Sequence, residues 1–231
     1  MRQAVRPRSP SSRPKPAAKA VRGRRKQATE TPYHHGALRD ALLAAAERVL
    51  ERDGLQGLTL RAAAREAGVS HAAPTHHFGD LTGLLSELAA IGFRRYNAEL
   101  EAAGASAETV MERAMARALR FVSYAQAHPG MYHLMFRSER LDMTRPALHE
   151  AANAAFAGLA GAVAARLREP IDQEKLSLEQ AAEIARAWSL IHGFTTLLLD
   201  GRIGDILERL PGIDAETLLG AMLKSPTSGP V

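Results

Sequence analysis

The sequence predicts an all-α protein of about nine helices, and three observations carry that expectation. From Tyr33 onward apolar residues recur at spacings of three and four, and no stretch alternates apolar and polar residues as a half-buried strand would. Ser, Thr, Asp or Pro stands where each helix would open, and Gly stands where several would stop. The longest apolar run, Ala151 to Ala165, is interrupted only by Asn153. It is mostly alanine and glycine and shorter than the eighteen or so residues that cross a bilayer, so it reads as a buried helix.

The elements follow in order. In the first, Leu38, Leu42, Ala45, Ala46, Val49 and Leu50 fall at i, i+4, i+7, i+8, i+11 and i+12, a core-facing stripe that Asp53-Gly54 should end. Thr59 should cap a short second helix with Leu60, Ala63, Ala64 and Ala67 on its inner face, stopped at Gly68. Ser70 should cap a third, reaching about His77. Within it Pro74 cannot donate to the Ser70 carbonyl, so this helix is expected to open irregularly. Asp80 should cap a fourth, with Leu84, Leu85 and Leu88 inward, and Ser106 a fifth, with Met111, Met115, Ala118, Leu119 and Val122 inward. His128-Pro129-Gly130 breaks the fifth, and Pro129 can open the sixth. Pro146–Arg168, Ser177–Asp200 and Asp214–Lys224 complete the set, and residues 225–231 read as a frayed tail.

Charge divides the chain unevenly. The 231 residues carry a net +5, yet residues 1–27 hold ten Lys/Arg and no acid, leaving 20 basic and 25 acidic side chains in the rest. Residues 1–31, with four prolines and few large apolar side chains, are expected to be a disordered basic arm. Two readings of it stay open: a cationic arm for nucleic acid, or a solvated leader. The absence of cysteine excludes disulfides, thiolate catalysis and thiolate-bound zinc. His71, His76 and His77 do not share a helical face with a carboxylate at ligand spacing, so no metal is expected. With no nucleophile elbow, no phosphate loop and no carboxylate pair, neither catalysis nor a cofactor is expected.

Glu66-Ala67-Gly68-Val69-Ser70 joins the two short helices as in a helix-turn-helix: Gly68 for a left-handed turn, Val69 to plug the angle, small Ala63, Ala64 and Ala67 for close approach. By itself the pattern also fits an ordinary helical hairpin.

Several stretches together are more specific: Leu42-Leu43-Ala44-Ala45-Ala46, Gly54 with Leu58-Thr59-Leu60, Ala67-Gly68-Val69-Ser70, His77-Phe78 and Leu84-Leu85. Over residues 33–94 the chain resembles the DNA-binding domain of the TetR family of bacterial transcriptional regulators. Tyr33-His34-His35-Gly36, His71-Ala72-Ala73-Pro74, His128-Pro129 through Phe136, and Ala187-Trp188-Ser189-Leu190-Ile191-His192-Gly193 resemble one branch, named for a Trp-His-Gly element. The resemblance implies a helix-turn-helix domain over 32–95 and a helical regulatory and dimerisation domain over 96–224. It implies that Thr59 and Arg61 meet phosphates, and that Ser70, His71, Ala72, Thr75 and His76 face the groove. Ala73, Thr75 and Leu81 depart from the threonine, tyrosine and phosphate-binding lysine common in relatives. Residues 33–86 also carry a net of −1, weak for a DNA-binding face.

The C-terminal helices hold Met111, Met115, Tyr124, Met135, Phe136, Trp188 and His192, which suit either a plain core or a small-molecule pocket. The resemblance favours a mostly apolar effector pocket, with Trp188 expected to be large core bulk and His192 a polar handle. The helices 177–200 and 214–224 are apolar on more than one face, so a homodimer is expected. The resulting reading is a cytoplasmic, nucleoid-associated, ligand-responsive repressor. It binds a palindromic double-stranded operator as a dimer and has no membrane partner. A second reading stays open: a helical small-molecule binding protein that has lost operator recognition, which the acidic body and Leu81 favour.

Overall fold

A computed structural model describes residues 33–136 and 138–224. The basic arm and the C-terminal tail lie outside these residues. All regular structure among the described residues is helical: α1 (Tyr33–Gly57), α2 (Leu60–Glu66), α3 (Ala73–Phe78), α4 (Leu81–Gly104), α5 (Val110–Ala127), α6 (Pro129–Met135), a 3₁₀ turn (Ser138–Arg140), α7 (Pro146–Leu167), α8 (Leu178–Leu199), α9 (Gly204–Leu207) and α10 (Ala215–Lys224). The architecture is the expected one, with short α9 in addition.

Local chemistry explains most boundaries. Thr59, Asp80 and Ser177 each accept a hydrogen bond from the backbone N–H three residues on, as the caps of α2, α4 and α8. Two expectations are corrected. Gly54 does interrupt α1 (φ 68°, ψ −178°), but the chain takes up one more turn and runs to Gly57. The cap of α5 is Thr109, not Ser106. Thr109 accepts from the Glu112 N–H, and the Glu112 carboxylate reaches back to the Thr109 N–H, so the reciprocal pair outcompetes a lone serine three residues earlier.

The main core gathers the inner faces of α1 to α4, including Leu42, Val49, Leu50, Phe78 and Leu88, and continues into Tyr124, Met131, Leu134 and Leu148 of α5, α6 and α7. The first four helices and the later ones therefore share one apolar interior. Polar contacts tie the same junction. The Glu51 carboxylate of α1 accepts from the Gly130 and Met131 N–H groups at the start of α6, both at 3.1 Å. Arg95 of α4 pairs with Glu47 of α1 at 2.5 Å. A separate cluster around Val122, Phe194, Ile203 and Leu219 joins α5, α8 and α10.

A candidate nucleic-acid interface and an interior cavity

The turn between α2 and α3 is built as its residues demand. Gly68 takes φ +68°, a left-handed conformation that L side chains seldom adopt, and the Val69 N–H donates back to the Ala64 carbonyl at 3.0 Å. Val69 then tucks its side chain onto the main core. Ser70 is not the cap of α3. Its Oγ accepts from the Ala72 N–H at 3.3 Å and its carbonyl from Ala73, which makes a turn, and α3 opens at Ala73 with Ala72 in the cap position. Pro74 is the cause. Lacking an N–H, it is tolerated in the first turn of a helix but would break a bond further in, so the start moves to place it second.

Pro74 and Phe78, one turn apart, are buried, which fixes the rotation of α3 and leaves His71, Ala72, Thr75 and His76 in solvent. The Arg39 guanidinium lies over the Phe78 ring at 5.6 Å, and Arg145 donates to the Phe78 carbonyl at 3.4 Å. Thr59 and Arg61 are exposed at the start of α2, and Ser70 is exposed in the turn before α3. Of the five arginines in this region, Arg39 pairs with Glu87, while Arg48 and Arg52 pair with Glu66. Arg61 and Arg65 take part in no ion pair among the described residues, so their charge is available to an external anion. Leu81 is half-buried against the core, so α4 opens on a packing residue and not a cation. Among the described residues no three His, Cys, Asp or Glu side chains come together at metal-holding range.

The second feature is a cavity of about 840 Å³ walled by α4, α5, α7 and α8, with Met222 and Leu223 of α10 at one end. Met111, Met115, Met135, Phe136, Trp188 and His192 all line it. Tyr124 does not. The last turn of α5 has passed the cavity by that point, and the Tyr124 hydroxyl donates to the Gly92 carbonyl of α4 at 3.3 Å within the main core. Trp188 is not the core bulk expected of it. It is 45% exposed at the rim, near the rings of Phe156 and His192 at 6.3 and 5.9 Å. The α7 wall mixes small residues, Ala152, Ala155, Gly158 and Ala162, with the larger Phe156, Leu159 and Val163.

His192 is enclosed by aromatic rings: Phe136 at 4.4 Å, Phe121 at 4.9 Å and Tyr132 at 6.0 Å between centroids. Its Nδ1 and the Tyr132 hydroxyl share a hydrogen bond of 3.2 Å. Burial pushes the imidazole down to about 4, so near neutral pH it is an uncharged hydrogen-bonding group at the wall. Among the cavity residues that the sequence analysis did not single out are Tyr96 and Arg117. A signal was available for Arg117: it lies three residues after Ala114 and four before Phe121, a charge inside an otherwise apolar stripe of α5.

Comparison with known proteins places this arrangement. Residues 42–88 match the family model described as bacterial regulatory proteins, tetR family, and residues 112–223 match the tetracyclin repressor-like C-terminal domain. These matches give the family and not a branch within it. No curated protein matches the chain. Among solved structures, a protein of unknown function from Rhodococcus sp. RHA1 is 36% identical, covers 84% of this chain and 95% of its own, and superposes with a TM-score of 0.66. A TetR family transcription regulator from Marinobacter aquaeolei VT8 is 15% identical, with coverage of 84% and 96% and a TM-score of 0.56. The transcriptional regulator FadR from Bacillus subtilis, solved in complex with stearoyl-CoA, is 15% identical, with coverage of 80% and 95% and a TM-score of 0.57. The latter two share the fold with this chain.

Proposed function

The chain belongs to the tetR family of bacterial regulatory proteins, as a DNA-binding transcription regulator, and from that premise we propose that it is a ligand-released repressor. Two copies pair through α8 and α10 and hold a palindromic operator on the bacterial nucleoid through their α3 helices. A small, mostly apolar molecule in the cavity releases it. His71 and Thr75 choose bases with Ser70, Ala72 and His76 beside them in the groove, and Thr59 and Arg61 position the protein on phosphates.

The observation that carries this reading is α4. Its first residues support α3: Asp80 caps it directly after Phe78 and Gly79, and the Gly83 backbone lies against the Phe78 carbonyl. Its middle and last turns, through Phe93, Tyr96, Asn97 and Leu100, are one wall of the cavity. A ligand that displaces this wall relative to α1 tilts α3. The α6 helix, gripped at its start by Glu51 and presenting Met135 to the cavity, offers a second lever on the same unit. Half-sites one helical turn apart lie about 34–36 Å from centre to centre, so a tilt that changes the separation of two α3 helices by a few ångströms prevents both from docking. Exposed Leu197 on α8 and Met222 on α10 supply apolar surface for pairing.

Selection of bound fragments from a random DNA pool with the full chain tests the reading. An inverted repeat is expected. His71→Ala should change which half-site is preferred, and Arg61→Ala should weaken all sequences alike. No enrichment would overturn it in favour of a helical small-molecule binding protein.

A further inference from the structure

The cavity is apolar over most of its wall, and of the arginines that line it Arg117 is set apart by its burial. Arg117 on α5 lines the space, and its side chain is only 15% exposed, while its partner Glu101 on α4 is 70% exposed. The other ion pairs at the cavity have the reverse arrangement: Glu183 is 14% exposed, and its partners Arg166 and Arg186 are about half in solvent. A largely buried guanidinium needs an anion beside it. Here that anion is a flexible surface carboxylate for which water competes. The α7 wall makes room for the guanidinium: a Cβ at Gly158 would stand 2.8 Å from Arg117 Nη2, so any larger residue would displace it.

Tyr96 adds a second polar group. Its ring packs edge-on against Phe121 and Phe136 at 5.6 and 6.4 Å, and it lines the cavity. Its hydroxyl takes no hydrogen bond from, and gives none to, the described residues. Burial holds the phenol well above its ordinary range, with nearby Arg117 pulling partly the other way, so the hydroxyl stays a donor. One largely buried guanidinium and one hydroxyl donor in an aromatic and methionine-lined space match a single planar anion on an apolar body.

Resting on the reading of the cavity as an effector site, we propose that the effector is an apolar molecule ending in one carboxylate, which takes Glu101's place on Arg117 and accepts from the Tyr96 hydroxyl. The exchange also removes a tie between α4 and α5, the Glu101–Arg117 ion pair, so the charged end of the ligand acts directly on the helix that supports α3. A neutral body of the same shape leaves that tie in place.

Decanoate and its methyl ester are suitable probes, titrated into the full chain by calorimetry and followed by the emission of Trp188, the single tryptophan. In the unaltered protein decanoate is expected to bind at least tenfold tighter than the ester. Arg117→Gln should erase that difference, and Tyr96→Phe should narrow it. Glu101→Gln, a surface change that leaves the fold in no doubt, should tighten decanoate several-fold and leave the ester unchanged. Equal binding of acid and ester, binding of neither, or weaker decanoate binding to Glu101→Gln would overturn the proposal. The operator selection is read separately. Release of selected DNA by acid and ester alike would sink the carboxylate and leave the regulator standing, whereas a failed selection would sink the regulator whatever the acid does.

Discussion

At the scale of single residues, burial and not identity decides what a polar group does here. Tyr124 and Tyr132 lie eight residues apart, yet one hydroxyl is spent on the Gly92 carbonyl in the core and the other is shared with His192 at the cavity wall. The sequence could not separate them, because both fall on apolar stripes and only the end of α5 decides which space each enters. His192 has a consequence that can be measured. The folded chain holds it neutral down to about pH 4, whereas the unfolded chain protonates it near 6.5, so unfolding takes up a proton between those values. The stability of the native protein therefore falls as pH drops from about 6.5 to about 4. In His192→Phe, which keeps the bulk, urea midpoints at pH 7.5, 5.5 and 4.5 should fall less than in the parent. The same variant should bind operator normally and respond weakly to effector. Equal pH slopes would show that the imidazole is not held neutral.

At the scale of elements, the turn chemistry was legible and the helix starts were less so. Gly68, Thr59, Asp80 and Ser177 act as their types predict, because a cap or a left-handed turn is a local matter of one side chain and one backbone conformation. The starts of α3 and α5 depend on competition between neighbours, Pro74 against Ser70 and Thr109–Glu112 against Ser106, and the first match along the chain was not the winner. The cavity was half legible. Methionines and aromatics marked it, but the alanines of α7 that leave the space open look like any helix interior. The joint between α3 and α4 yields the sharpest element-scale test. A Cβ at Gly83 would lie 2.0 Å from the Phe78 carbonyl oxygen and 2.7 Å from Arg145 Nη2. Backbone cannot yield as a side chain can, so Gly83→Ala should cost about 1–3 kcal/mol and lower the urea midpoint. An unchanged midpoint would mean the joint has slack.

At the scale of the whole molecule, the surface left uncovered points to a second copy. Of the large apolar side chains exposed among the described residues, Val110, Met111 and Met143 precede α8, and the other seven, including Leu178, Leu197, Ile206 and Met222, lie from α8 onward. Light scattering at micromolar concentration should report a homodimer, and a monomer would refute the pairing. The basic arm is tested through salt. Residues 33–86 carry a net of −1, and ten positive charges precede them. If half of those meet phosphates, deleting residues 1–27 should flatten the slope of log affinity against log salt by about four to five per arm, at roughly 0.9 per phosphate. The preferred operator should stay the same, and an unaltered slope would make the arm a leader only. Among the described residues no helix is long and apolar enough to cross a membrane. The small residues of the α7 wall have a consequence in another currency, that of descent. Ala155, Ala162 and Gly158 border the cavity some way from α3, and each can grow by one mutation into a residue that reshapes the space. If the cavity is the effector site proposed above, duplicated copies of such a gene can change which molecule they answer to while keeping the DNA they recognise, and new circuits can arise by filling in alanines.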